Sequence, residues 1–116
     1  MQRVTLYHNP GCKSSRGAME LLSSRKVEFE TIEYLKHPPA RAALEEIIAI
    51  LEAPVADLVR KDKRFGELAL KAEDYVTKDA VVTLLLEHPE LMQRPIVIRA
   101  GRAVIARPPE KLLTLL

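Results

Sequence analysis

A mixed α/β fold is predicted, in the order β-α-β, helical block, β-β-α. Three observations predict it. The β-branched and aromatic run Val4-Thr5-Leu6-Tyr7 is followed by an apolar stripe of helical spacing, then by alternation with a period near two. Helical patterns dominate from about Pro39 to Met92. Near the end, two β-branched runs flank Ala100-Gly101-Arg102, a hairpin signal with glycine at the turn.

The chain enters its first strand at once from Met1-Gln2-Arg3, and Val4–Tyr7 reads as buried. A helix is expected from Lys13 to Arg25, with Ala18, Met19, Leu21 and Leu22 as its apolar stripe. Val27-Glu28-Phe29-Glu30-Thr31-Ile32 alternates and reads as strand two. These elements fill ~30 residues, the size of a βαβ unit. Pro38-Pro39 stops the extended segment and starts the next helix, since proline is tolerated in a first helical turn. That helix runs over Ala40–Leu51, with Leu44, Ile47, Ile48 and Leu51 at helical spacing. Shorter helical pieces are expected over Val55–Arg60 and Phe65–Leu70. Thr77 caps a further helix carrying Val81, Val82, Leu84 and Leu85, which ends before Pro89. Pro95–Arg99 and Ala103–Ala106 form the hairpin, and Pro108-Pro109 starts a terminal helix over Glu110–Leu116. The expected organisation is one domain over residues 1–116, with a helical insert at about 39–92.

At 116 residues the chain is long enough for its own core. Apolar residues at 47% and charged residues at 29% exclude a disordered chain. The net charge of +2 comes without any basic block, and aromatics are only 4%, which argues against nucleic-acid binding. No apolar run approaches the ~20 residues that span a bilayer, and no signal-peptide pattern opens the chain. The single cysteine excludes an internal disulfide and a Cys-rich zinc site. A thiol meant to stay reduced suits the cytoplasm, which is the expected location.

That cysteine, Cys12, falls where the first strand hands over to the first helix. Unpaired backbone N–H groups and the positive end of the helix dipole favour an anion there. A thiol with a free pKa of about 8.5 drops to roughly 3.5–7.5 in such places. The alternative is a buried cysteine acting as a small hydrophobe. Its neighbours Gly11, Lys13, Ser14, Ser15 and Arg16 favour the reactive reading.

An α/β chain with a cysteine at this turn resembles the thioredoxin and glutaredoxin fold, in which a cis-proline preceding the third strand faces the cysteine. Arg94-Pro95 stands at that position, and the motif is Cys12-Lys13-Ser14-Ser15, a Cys-x-x-Ser. More specific signatures run the length of the chain: His8-Asn9-Pro10, Ser15-Arg16, Tyr34-Leu35 with Pro38-Pro39, Leu58-Val59-Arg60, His88-Pro89, Arg94-Pro95-Ile96-Val97 and Arg107-Pro108. With these the chain resembles the glutaredoxin-coupled arsenate reductases, in a shorter branch without their C-terminal extension. The resemblance implies a nucleophilic Cys12 and anion-binding Arg60, Arg94 and Arg107. It implies that His8 helps ionise the thiol, and that Ser15 and Arg16 support the thiolate loop, with Arg16 as a further cation for the substrate. Lys13 departs from the small residue usual after the cysteine.

Implied too are arsenate as substrate, glutathione as co-substrate, glutaredoxin as partner and no tightly bound cofactor or metal; a monomer is expected. Arginine suits a tetrahedral oxyanion because its planar fork pairs two oxygens and stays protonated. A cysteine-based reductase needs a second thiol for its two-electron step, and this chain has none of its own. Reductases that shuttle a disulfide among their own cysteines are thereby excluded. A Cys-x5-Arg phosphatase is disfavoured, because the residue six past Cys12 is Ala18. Two alternatives share the fold. A glutathione-dependent monothiol or disulfide reductase would use Cys12 without an oxyanion pocket. A regulator resembling the Spx-type polymerase-binding proteins would carry a Cys-x-x-Cys switch, which Ser15 removes.

Overall fold

The computed structural model describes residues 3–116; Met1 and Gln2, expected at the entry to the first strand, lie outside them. Four strands form one sheet in the order β2-β1-β3-β4: β1 (Val4–His8), β2 (Phe29–Glu33), β3 (Ile96–Arg99) and β4 (Arg102–Ile105). β1 and β2 are parallel, joined by α1 (Lys13–Ser24), and β3 runs antiparallel to β1 and to β4. Between β2 and β3 lie α2 (Arg41–Ile50), α3 (Lys63–Glu67) and α4 (Lys78–Glu87), separated by short 3-10 turns. The expected order and helical insert are present. No helix among the described residues is long and apolar enough to cross a membrane.

The sheet separates two apolar layers because strand side chains alternate. Val4 and Leu6 of β1, Val97 of β3 and Ala106 pack with Ala18 and Leu22 of α1 and with Leu112 and Leu115 of the terminal segment. Tyr7, Ile96 and Ala103 point the other way, onto Leu44 and Ile47 of α2 and onto Val81, Val82, Leu84 and Leu85 of α4. By the same alternation His8 shares the α1 face with Val4 and Leu6, which sets it beneath the turn that carries Cys12.

α1 ends one residue earlier than expected. Lys26, at a φ of 56°, closes it in a Schellman pattern, with Lys26 N–H on Ser23 O and Val27 N–H on Leu22 O. The Ala100-Gly101 turn has positive φ at both residues (53° and 74°), which matches a type I′ hairpin. Thr77 caps α4 as expected, its hydroxyl accepting from Ala80 N–H at 3.3 Å.

Three expectations need correction. The piece expected over Val55–Arg60 is a 3-10 turn over Val55–Leu58. Val59 is extended and bridges Met92, so Arg60 lies beyond any helix. The piece expected over Phe65–Leu70 starts earlier, at Lys63, because Asp62 accepts from Phe65 N–H and caps it. The terminal helix is a 3-10 segment over Pro109–Leu115. Its buried residues, Leu112 and Leu115, are three apart, matching three residues per turn.

Candidate active site

The turn before α1 is built by Asn9. Its carbonyl accepts from Cys12 N–H at 3.0 Å, and its side chain accepts from Gly11 N–H at 2.9 Å. The chain thereby reverses in four residues and seats Cys12 as the N-cap of α1, in extended conformation (φ −100°, ψ 126°). Arg16 N–H closes the first helical turn on Cys12 O at 3.0 Å. The Cys12 sulfur stays at the open end of the helix, facing the Ser14 and Ser15 N–H groups without closing a full cap hydrogen bond.

Ser15, one turn further, is fully buried, and its hydroxyl accepts from Asn9 N–H at 3.3 Å. Partial burial pushes the Cys12 thiol up. It is outweighed by the Ser15 N–H, the Arg94 guanidinium, the Ser14 N–H and the Ser15 hydroxyl, which together bring the pKa down to about 6. At neutral pH Cys12 is a thiolate.

Two arginines reach it from the far end of the chain. The Arg94-Pro95 and Arg107-Pro108 peptide bonds are both cis. Arg107 Nη1 donates to Cys12 Sγ at 3.6 Å and to Arg94 O at 3.1 Å, so one guanidinium ties the thiol to the segment before β3. The Nε–Nη2 edge of Arg107 makes no hydrogen bond among the described residues. Arg94 Nε is buried and has no hydrogen-bond partner among the described residues. A buried, unpaired donor costs about 1–3 kcal/mol, so it marks a place where an acceptor is expected.

Arg60 is arranged differently. Backbone bonds from Arg60 N–H to Leu91 O (2.7 Å) and from Gln93 N–H to Leu58 O (2.8 Å) set its segment beside Arg94. Its guanidinium is held by Asp62 at 2.8 Å and Gln93 at 3.4 Å, and it makes no bond to Cys12. Arg16 is exposed and folds back onto Pro10 O at 3.2 Å, outside the Cys12–Arg94–Arg107 group. His8 is buried at the end of β1, its Nδ1 without a partner among the described residues. Burial pushes its pKa down against the pull of Glu33, so the imidazole is neutral at pH 7. It makes no hydrogen bond to Cys12.

Three residues absent from the sequence-derived site belong to it. Gln93 Oε1 accepts both from Arg60 Nη1 and from Arg94 N–H, linking the two arginine segments. Asn9 builds the turn. Tyr34 is completely buried, and its hydroxyl has no hydrogen-bond partner among the described residues. Burial pushes its pKa up, opposed by the nearby Arg94 charge and the Asn9 side chain. For Tyr34 the signal was its place in the Tyr34-Leu35 signature, and for Asn9 its place before Pro10; Gln93 carried none.

The family model described as the ArsC family matches residues 7–115. An arsenate reductase of Escherichia coli strain K12 is 38% identical over 117 residues, covering all of this chain and 82% of that protein. An arsenate reductase of Neisseria meningitidis is 35% identical, covering 97% of each chain. The solved structure titled as an arsenate reductase from Vibrio cholerae superposes with a TM-score of 0.88 at 33% identity, covering 99% of this chain and 98% of that one.

Proposed function

The chain belongs to the ArsC family, with its thioredoxin-like fold, and from that premise we infer that it reduces arsenate to arsenite through a covalent adduct on Cys12. The observation that carries this reading is the buried, unpartnered Arg94 Nε beside a thiolate that Arg107 also touches. A thiol-exchange enzyme has no use for two guanidinium groups with unpaired donors at its sulfur. A tetrahedral oxyanion satisfies them.

In this reading arsenate docks against Arg94 and the free edge of Arg107, with Arg60 adding charge from behind Gln93. The Cys12 thiolate attacks arsenic, and one arsenate oxygen leaves as water after protonation. The arginines hold the negative charge on the remaining oxygens as the As–O bond breaks. The As–S bond then breaks when an external thiolate attacks Cys12 Sγ. The electron pair of that bond stays on arsenic, reducing As(V) to As(III), and a mixed disulfide forms on Cys12. Glutathione serves as the external thiol, and glutaredoxin clears the mixed disulfide. Ser15 and the N–H groups of Ser14 and Ser15 keep the nucleophile ionised throughout. His8, neutral and making no hydrogen bond to the sulfur, is left with a packing role at the end of β1, and Arg16 supports the loop through Pro10.

The test is NADPH consumption coupled through glutathione reductase, with glutathione and glutaredoxin present, with and without arsenate. Arsenate-dependent turnover is expected. Arg94→Lys keeps the charge but loses the fork, so turnover should fall on the order of 10²-fold even at about pH 8.5, where Cys12 is ionised in both proteins and any rise in its pKa costs little. Equal turnover in wild type and Arg94→Lys would show that no oxyanion pocket is used.

A further inference from the structure

Tyr34 follows β2 directly, one residue past the His8–Glu33 pair, so it stands level with Asn9 at the turn that carries Cys12. Its ring packs in the apolar layer beneath α2 and α4, in the same cluster as Tyr7 and Leu44. The residue is fully buried, and its hydroxyl has no hydrogen-bond partner among the described residues. Packing does not account for that hydroxyl. Phenylalanine would fill the same space without burying an unpaired polar atom, which is the costly arrangement.

A second unpaired donor lies beside it. Arg94 Nε is likewise buried and without a partner among the described residues. The two share one place. The Arg94 guanidinium and the Asn9 side chain both face the Tyr34 hydroxyl without closing a full hydrogen bond, and the Cys12 charge is near enough to act on it. Asn9 Oδ1 already accepts from Gly11 N–H at 2.9 Å. A guanidinium only donates, so Arg94 cannot take the phenol's proton. The reverse pairing, with the hydroxyl accepting from Nε, still leaves that proton unplaced. One acceptor set between the two donors satisfies both, and an oxyanion oxygen is such an acceptor. Burial pushes the Tyr34 pKa up against the opposing pull of Arg94, so the phenol keeps its proton at neutral pH and is able to donate it to a hydrogen bond.

We propose that Tyr34 is a further oxyanion-binding residue, its hydroxyl donating to the oxygen that Arg94 Nε also holds. The proposal rests on the reading that an oxyanion docks against Arg94. It adds an uncharged donor to that site, fixed in place by the packing of its ring, so that little ordering is left to do when the anion arrives.

Tyr34→Phe removes the hydroxyl and keeps the ring. Cys12 is alkylated with iodoacetamide at about pH 8, where it is ionised, in rising arsenate and with no thiol donor present. Protection of the sulfur then reads binding without turnover. Half-protection should need about tenfold more arsenate in Tyr34→Phe than in wild type. Two further readouts separate binding from a structural role. Without arsenate, the alkylation midpoint should stay at about 6, because Arg94 still faces the sulfur. The urea midpoint should not fall, because the hydroxyl that is lost was unpaired. Half-protection within about twofold of wild type overturns the proposal and leaves the oxyanion pocket standing. Weaker protection together with a lower urea midpoint or a raised alkylation midpoint also overturns it, since the hydroxyl then holds the fold or Arg94. No protection in wild type overturns the oxyanion pocket and the proposal with it. Protection that weakens about tenfold, in a protein without arsenate-dependent turnover, supports Tyr34 and overturns arsenate reduction.

Discussion

Ser15 is the residue on which the thiol's chemistry turns. It sits one helical turn from Cys12, is fully buried, and accepts from Asn9 N–H at 3.3 Å while its own hydroxyl faces the sulfur. Partial burial alone would push the thiol up, and the donors around it bring it to about 6. The rate of iodoacetamide alkylation against pH should therefore have its midpoint near 6. In Ser15→Ala one of four donors is lost, and the midpoint should rise by about one pH unit, still below an ordinary thiol. His8→Gln should move it less, because the thiol's burial is offset by Ser15, Arg94 and Ser14 and His8 is not among them. A larger rise in His8→Gln than in Ser15→Ala would reverse that ranking. Cys12, Ser15, Arg94 and Arg107 were legible as residue types at family spacing. Gln93 was not, because a glutamine bridging Arg60 to the Arg94 segment has meaning only once segments some thirty residues apart are paired.

At the scale of elements, α1 and the terminal 3-10 segment matter most, since one carries Cys12 and the other follows Arg107 directly. They approach closely at Gly17, where an added Cβ would lie 2.9 Å from Pro109 Cγ. Alanine would gain about 0.5–1 kcal/mol in helix propensity over glycine. Displacing a proline ring packed on the helix costs more, about 1–3 kcal/mol. Gly17→Ala should therefore lower stability by about 1 kcal/mol in urea titration. It should also slow arsenate-dependent turnover, because Pro109 lies two residues from Arg107. Higher stability in that variant would mean the two elements separate freely. The terminal segment is tied down elsewhere by Arg99 on Leu115 O at 3.1 Å and Arg102 on Thr114 O at 2.9 Å. Its helical character was readable from Pro108-Pro109. Its 3-10 form was not, because the choice depends on fitting Leu112 and Leu115 against the sheet.

Across the whole molecule, two titrating groups bias the fold in the same direction. The folded-state pKa of Cys12 is about 6, below its unfolded value. Its contribution to stability is fully present above the unfolded value near 8.5 and is lost as pH falls through 6. Burial holds the His8 pKa below its ordinary value, so its contribution is present above about 6.5 and declines as the pH falls further. Melting temperature should therefore fall from pH 9 towards pH 5. Cys12→Ser should flatten the part between pH 9 and 6 and leave the acid limb. A slope between pH 9 and 6 that survives in Cys12→Ser would show that other groups carry it.

By itself the sequence determined the order of strands and helices and the place of its one cysteine at the first strand–helix turn. Those follow from local periodicity, turn chemistry and a count of one cysteine. Tertiary structure decided which arginines reach the sulfur. Arg94 and Arg107 do so because β3 lies beside β1, β4 beside β3, and Arg107 bonds Arg94 O. Arg60 is held back by Asp62 and Gln93 because Val59 pairs with Met92 instead of extending a helix. Local pattern specifies what each segment becomes. Which side chains share a site depends on strand pairing between residues far apart in the chain, and no local pattern encodes that.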